Sequence, residues 1–144
     1  MVRQAKNIME YWAVDPWMVN GDPKRIYVED GVITQGDWDK LHVEACVIMA
    51  QYASVVRIIR APSVSAAGLF PEGYFDFVFI DADHAYASVD ADIRAWLPLV
   101  KSGGILSGHD YNKRHWGLKK AVCQHFGVDG FETLRGSIWL VRRV

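Results

Sequence analysis

Phe75-Asp76-Phe77-Val78-Phe79-Ile80-Asp81-Ala82-Asp83-His84-Ala85-Tyr86 is the stretch whose reading decides the fold. Phe, Val and Ile at this density read as a buried strand with both faces covered, as in the middle of a parallel sheet. The strand stops abruptly at two carboxylates and an imidazole. Ligands of open α/β sheets sit beyond the carboxyl ends of the strands, so acids placed there are candidates for chemistry. Some 25 residues on, Gly103-Gly104-Ile105-Leu106-Ser107-Gly108-His109-Asp110-Tyr111 repeats the device. A glycine turn leads into a short apolar strand, here Ile105–Ser107, followed by His-Asp. Two neighbouring strand ends that deliver ligand-type side chains to one edge imply a single site.

Outward from these strands the chain alternates. A first strand covers Glu10 to Val14 and stops at Asp15-Pro16. Residues Asn20 to Gly36, with Gly21, Asp22, Pro23, Gly31 and Gly36, read as a long polar loop of the kind that often binds ligands. A helix capped by Asp37 or Asp39 carries Leu41, Ala45, Ile48, Met49 and Tyr52 at helical spacing. Val55–Ile59 reads as a buried strand, ended by Ala61-Pro62, and Ser63–Leu69 as a short helix. A helix from Tyr86 or Ser88 places Val89, Ile93, Trp96, Leu97 and Val100 on one face, with Pro98 closing its last turn. Another runs from Trp116 to Phe126 with Gly127 as a left-handed C-terminal cap. Phe131–Leu134 and Ile138–Val141, joined at Arg135-Gly136-Ser137, read as a hairpin. Strand–helix alternation predicts a parallel α/β sheet with an antiparallel hairpin at one edge, in one domain over residues 1–144.

Composition narrows the function classes. The 144 residues are 51% hydrophobic and include six tryptophans, which suits a folded core. A net charge of −1 gives no global electrostatic case for nucleic acid, and the local pairs Lys113-Arg114, Lys119-Lys120 and Arg142-Arg143 read as solvated faces. Cys46 and Cys123 are isolated in apolar helical patterns, which reads as buried, reduced thiols. No apolar run approaches the ~20 residues of a membrane span and no signal-peptide pattern appears, so a cytoplasmic protein is expected.

The segment from Tyr74 to Tyr111 resembles the second half of a class I S-adenosylmethionine-dependent methyltransferase. The likeness is to the metal-assisted small-molecule O-methyltransferases, of the catechol, caffeoyl-CoA and antibiotic-tailoring types. Ile80-Asp81-Ala82-Asp83-His84 matches the acid motif after their fourth strand, and Gly103-Gly104 with His109-Asp110 matches their fifth-strand motif. Tyr11-Trp12-Ala13-Val14-Asp15-Pro16-Trp17 is similar to their second strand, whose terminal acid grips the cofactor's ribose. The resemblance implies a Rossmann-like methyltransferase sheet lacking its first strand and the E-x-G-x-x-x-G turn that follows it. That in turn implies a truncated domain of impaired activity. The missing strand would lie between those at Tyr11 and Phe75, so direct pairing of these two, or a homodimer, is expected to close the gap.

The resemblance also implies a site. S-adenosylmethionine would be held by Asp15, Ser63, Asp81 and Asp83. Ser63 stands in Ala61-Pro62-Ser63, where the family often has Gly-Asp-Ala or Gly-Asp-Ser. Asp81, His109 and Asp110 match the positions that bind magnesium or manganese, His109 being a departure that moves preference toward manganese, iron or zinc. The plainer alternative has His109 and Asp110 capping a strand end. His84 falls where catechol-type enzymes carry a lysine base, and imidazole can take a hydroxyl proton near neutral pH. Its alternative is a solvated histidine at a helix start, as Asp15's is an acid that merely turns the chain. Asp83 orders either the cofactor or its own loop. Trp17, Trp38 and Trp116 line a substrate pocket or serve as core. The expected function is methyl transfer to a small-molecule hydroxyl, with no nucleic acid or membrane partner. The alternative is a non-catalytic fragment or binding protein that keeps the fold. A weaker reading, since Asp-x-Asp also occurs in nucleotide-sugar transferases, is another metal-dependent transferase or hydrolase using Asp81, Asp83, His109 and Asp110.

Overall fold

The computed structural model describes residues 8–19 and 34–144. The expected loop from Asn20 lies outside the described residues as far as residue 33. The chain forms two compact units, Met1–Ser63 and Val64–Val144.

In the first unit, β1 (Tyr11–Asp15) and β2 (Val56–Arg60) pair in parallel, Tyr11 opposite Val56 and Asp15 opposite Arg60. Parallel neighbours need a long crossover, and α1 (Gln35–Met49) lies within it. Its cap is Thr34, not Asp37 or Asp39. Asp37 N donates to Thr34 Oγ1 at 3.3 Å while Thr34 N donates to Asp37 Oδ2 at 2.9 Å, a reciprocal capping box. The Thr34 bonds hold the Asp37 carboxyl below the usual carboxylate range. The periodic face of α1 is not a buried stripe: no residue of the helix is buried, and Leu41 and Ile48 are exposed.

The second unit holds a four-stranded sheet in the order β3-β4-β6-β5, from β3 (Phe75–Ile80), β4 (Val100–Gly108), β5 (Glu132–Leu134) and β6 (Ile138–Arg142). β3 and β4 run parallel through α3 (Tyr86–Trp96), whereas β6 is antiparallel to both β4 and β5. The expected hairpin is β5–β6. Two further helices complete the second half, the short α2 (Ser63–Ala67) and α4 (Trp116–Phe126). Gly127 follows α4 with φ +74° and ψ 171°, so its backbone takes the glycine sign of φ without completing a left-handed turn.

The core of this unit is a row across the sheet under two helices. Val78, Leu106 and Val141 lie side by side on three strands, and all are buried. Val89, Ile93 and Trp96 supply the α3 stripe at i, i+4 and i+7, and Leu118, Ala121 and Val122 that of α4. Each fully buried branched side chain stabilises the fold by about 1.5–3 kcal/mol. Polar ties join the two helices: Tyr86 OH donates to Gln124 Oε1 at 2.8 Å, and Asp90 Oδ1 lies 2.7 Å from His125 Nε2. Trp139 is wholly enclosed, and Ser107 Oγ donates to its carbonyl at 2.6 Å.

Three expectations change here. Among the described strands β3 lies at the edge of its sheet rather than in the middle, and only Val78 of it is buried. Phe77 and Phe79 point the other way, stacked at 6.2 Å and 55% and 44% exposed. α3 and α4 pack on each other and so cover one face only. Second, the Tyr11 strand pairs with β2, and the described strands contain no direct ladder between it and the Phe75 strand. Third, Gly103-Gly104 lies inside a longer β4 instead of preceding it. The ladder passes from Phe75–Val100 to Phe77–Ile105, so the residues between bulge out, with Gly103 at φ +77°. Cys46 and Cys123 are free but half-buried.

Candidate functional site

The site grows from the last rung of the β3–β4 ladder. Ile80 pairs with Gly108, and the next amide, His109 N, donates to Ile80 O at 3.1 Å. The two strand ends are therefore tied where Asp81 and His109-Asp110 emerge. The close approach requires a glycine: a Cβ at Gly108 would lie 2.6 Å from Ile80 O and 2.7 Å from Trp139 Nε1.

After Asp81 the chain turns through Asp83 into α3. Asp83 Oδ2 accepts from Ser88 Oγ at 2.7 Å and its Oδ1 from Ala85 N at 3.3 Å, so this carboxylate orders its own loop and the start of the helix. The loop presents His84, whose Nε2 lies 2.9 Å from Asp110 Oδ2. Asp110 takes a left-handed backbone, φ +59°, which Asp tolerates better than most side chains. The turn behind it is closed by Asn112 N donating to Asp110 O at 2.7 Å and by Tyr111 N donating to Ser137 O at 2.8 Å.

Asp110 is the hub. His109 Nδ1 stands 3.4 Å and His115 Nε2 4.0 Å from its Oδ1. Burial pushes the Asp110 carboxyl up, but the His84 hydrogen bond and the charges of His109 and His84 outweigh it and leave the group below its ordinary value. It is thus a carboxylate at neutral pH. Among the described residues two sets of three donors have ligand atoms within 4.8 Å of one another: Asp81, His109 and Asp110, and His84, Asp110 and His115. Side-chain motions of an ångström or so would bring either set to the bond lengths of a divalent ion.

The expected metal trio and the expected base are therefore brought together. His115 was not among the expected residues. Its signal in the sequence is faint, an imidazole just ahead of α4 five residues beyond Asp110, and only packing gives it meaning. A Cβ at Gly117 would lie 2.8 Å from both His84 O and Tyr86 N, so α4 starts hard against the His84 loop. The His84 and His115 rings consequently stand 4.0 Å apart, tilted by 34°.

Asp15, in the first unit, ends β1 half-buried, and its Oδ1 accepts from Trp17 N at 2.6 Å. The loop behind it is pinned: Arg60 Nη2 and Gln35 Nε2 each donate to Trp17 O at 3.0 Å, and Arg60 also pairs with Asp39. That pairing holds the Asp39 carboxyl below its usual range. Ser63 opens α2, half-buried. Of the tryptophans, Trp17 packs 4.8 Å from His42, Trp38 Nε1 is buried without a hydrogen-bond partner among the described residues, and Trp116 is 70% exposed with Lys120 Nζ 5.3 Å from its ring.

Residues 1–111 match a sequence family described as a methyltransferase domain. No curated protein matches the chain. Among solved structures it is similar to a protein from Corynebacterium glutamicum, with 13% identity and a TM-score of 0.62 over 94% of this chain and 61% of that one. It is also similar to CalS11, a TDP-rhamnose 3'-O-methyltransferase of calicheamicin biosynthesis, at 14% identity and TM-score 0.57, covering 92% and 58%. The O-methyltransferase NovP matches at 16% and 0.57, covering 94% and 60%. At these identities the likeness is one of fold, and the chain spans about three fifths of the length of each. Among the described residues no helix is long and apolar enough to cross a membrane. The match over residues 1–111 places this chain in the class I S-adenosylmethionine-dependent methyltransferase family.

Proposed function

We propose that the chain takes part in methyl transfer from S-adenosylmethionine to a hydroxyl of a small molecule, with His84 as the base. The observation that carries this reading is the 2.9 Å pairing of His84 Nε2 with Asp110 Oδ2 at the strand-end edge. A carboxylate that accepts from Nε2–H keeps the proton there and leaves the Nδ1 lone pair to receive one. The same logic orients the histidine of a hydrolase triad. The carboxylate also stabilises the imidazolium once the acceptor's hydroxyl proton has moved to Nδ1.

S-adenosylmethionine, when bound, supplies a sulfonium methyl that an acceptor oxygen displaces in line, the S–C electron pair returning to sulfur. The chain's own part is binding, orientation and proton removal. Asp15 would take the ribose: it stands at a strand end, where a carboxylate can accept from both hydroxyls of the diol, and its Oδ1 accepts from the Trp17 amide. Ser63 would meet the adenine side, and Asp81 and Asp83 the amino-acid side, Asp83 chiefly by holding its loop. Asp81, His109 and Asp110 would hold a divalent ion, magnesium through the two carboxylates or, better suited to the imidazole, manganese, which would polarise the acceptor oxygen and lower its pKa.

Calorimetric titration of the chain with S-adenosylhomocysteine, with and without manganese, tests the reading. Saturable binding that Asp15→Ala abolishes is expected, followed by methyl transfer to a hydroxyl substrate that His84→Ala removes. No binding at millimolar ligand would refute the proposal and favour a non-catalytic member of the fold.

A further inference from the structure

We propose that His84, Asp110 and His115 form a binding site for a divalent transition-metal ion, distinct from the Asp81–His109–Asp110 set and sharing only Asp110 with it. The three ligand atoms already converge. His84 Nε2 stands 2.9 Å from Asp110 Oδ2, His115 Nε2 4.0 Å from Asp110 Oδ1, and all three residues offer atoms within 4.8 Å of one another. A tetrahedral ion with bonds of about 2.1 Å holds its ligand atoms about 3.4 Å apart. The two histidines stand on either side of that value, at 2.9 Å and 4.0 Å, each from a different oxygen of the Asp110 carboxylate. Binding replaces the His84–Asp110 hydrogen bond by a bridge through the ion and splays the two rings from their 4.0 Å contact.

The chemistry of the donors selects the ion. Two imidazoles and one carboxylate suit zinc, cobalt or nickel, whereas magnesium prefers oxygen ligands and keeps its waters. All three side chains are partly open, at 35%, 25% and 29% exposure, so an ion can enter and retain a water in its fourth position. The arrangement is also held in place by backbone. Gly117 sets the start of α4 against the His84 loop, where a Cβ would meet His84 O and Tyr86 N at 2.8 Å. His115 N donates to Asn112 O at 3.3 Å, and Asn112 N to Asp110 O at 2.7 Å, so one turn carries two of the ligands.

Occupancy has a consequence for His84 that rests on the methyl-transfer reading. Metal on Nε2 leaves the remaining proton on Nδ1, so the imidazole can no longer accept a proton from an acceptor hydroxyl. A transition metal here would inhibit, while an ion at Asp81, His109 and Asp110 would assist.

The test reads binding, not activity. The full chain is titrated with cobalt(II) in excess magnesium, following the visible ligand-field bands, and zinc is then used to displace the cobalt. One equivalent of cobalt with bands of a four- or five-coordinate nitrogen-containing site is expected. Affinity should fall at least about tenfold in His115→Ala and in His115→Gln, which keeps a polar group ahead of α4, because each removes a ligand. Asp81→Asn should leave the bands unchanged. Absence of the bands in the wild-type chain would overturn the proposal. So would wild-type affinity in both folded His115 variants, or loss of the bands in Asp81→Asn alone.

Discussion

Gly108→Ala tests how the fold builds the site, because one methyl group there meets three obstacles at once. The new Cβ would lie 2.6 Å from Ile80 O, 2.7 Å from Trp139 Nε1 and 2.8 Å from Trp139 Cε2. Reaching ordinary contact near 3.4 Å requires something to move by about 0.8 Å, and none of the three is a flexible side-chain end. Ile80 O is backbone and already accepts from His109 N, while Trp139 is fully enclosed and cannot retreat. Overpacking of this kind costs about 1–3 kcal/mol, and rigid obstacles argue for the upper part of that range. With a urea dependence of about 1–3 kcal/mol per molar, the unfolding midpoint followed by circular dichroism should fall by about 1 M. The ends of β3 and β4 should also part, separating Asp81 from His109 and Asp110 and weakening manganese binding. Gly36→Ala makes the same chemical change in an open place, where the Cβ meets only Thr34 Oγ1 at 3.5 Å. Within α1 it should be neutral or stabilise by up to about 1 kcal/mol. A Gly108→Ala protein that unfolds at the wild-type midpoint and binds manganese equally well would refute this account of the strand ends.

Tyr111 should make the protein sensitive to alkali. Burial, then its hydrogen bond with Cys123, pushes the phenol from 10.0 up to about 12. A raised value means the fold favours the neutral form, so stability is full below pH 10 and declines as pH rises toward about 12. Tyr111→Phe should remove that part of the decline, seen as a flatter thermal midpoint against pH. Asp90 should behave in the opposite sense. Hydrogen bonds from Arg94 and His125 hold its carboxyl below 3.8, so its contribution is present above that pH and lost as pH falls through the lowered folded value. Asp90→Asn should be less stable than wild type at neutral pH, with the gap closing in strong acid when both are followed by urea unfolding. Thr34→Ala removes the side-chain half of the α1 capping box and should cost about 1 kcal/mol, read as lost helix protection in hydrogen exchange.

Much of the second unit was legible along the chain. The 3.6-residue spacing of Val89, Ile93 and Trp96 marked α3, and Trp116 to Phe126 formed α4 over its expected range. Both His-Asp and Asp-x-Asp-His ended strands that proved to be neighbours, and Asp81, His109 and Asp110, which the family resemblance singled out, have ligand atoms within 4.8 Å of one another. The errors lie where partners matter. The dense apolar run at Phe75–Ile80 reads the same for a middle strand as for an edge strand, since apolar content does not say what covers each face. The α1 pattern likewise announced a stripe without saying whether anything buries it. Asp83 read either as ordering the cofactor or as ordering its loop, and its bonds to Ser88 and Ala85 tie it to the loop.

The sequence by itself determined the order of strands and helices, the turn positions and the acids at two strand ends. These follow from side-chain periodicity and backbone preference, which act over a few residues. Only the tertiary structure decided that β3 is an edge among the described strands, that β1 pairs with β2, and that His115 stands against His84 and faces Asp110. All three depend on pairings between segments far apart in the chain, and the last on the close approach of α4 to the His84 loop at Gly117. A missing side chain sets the distance there, and no local pattern encodes which distant residue will use the space.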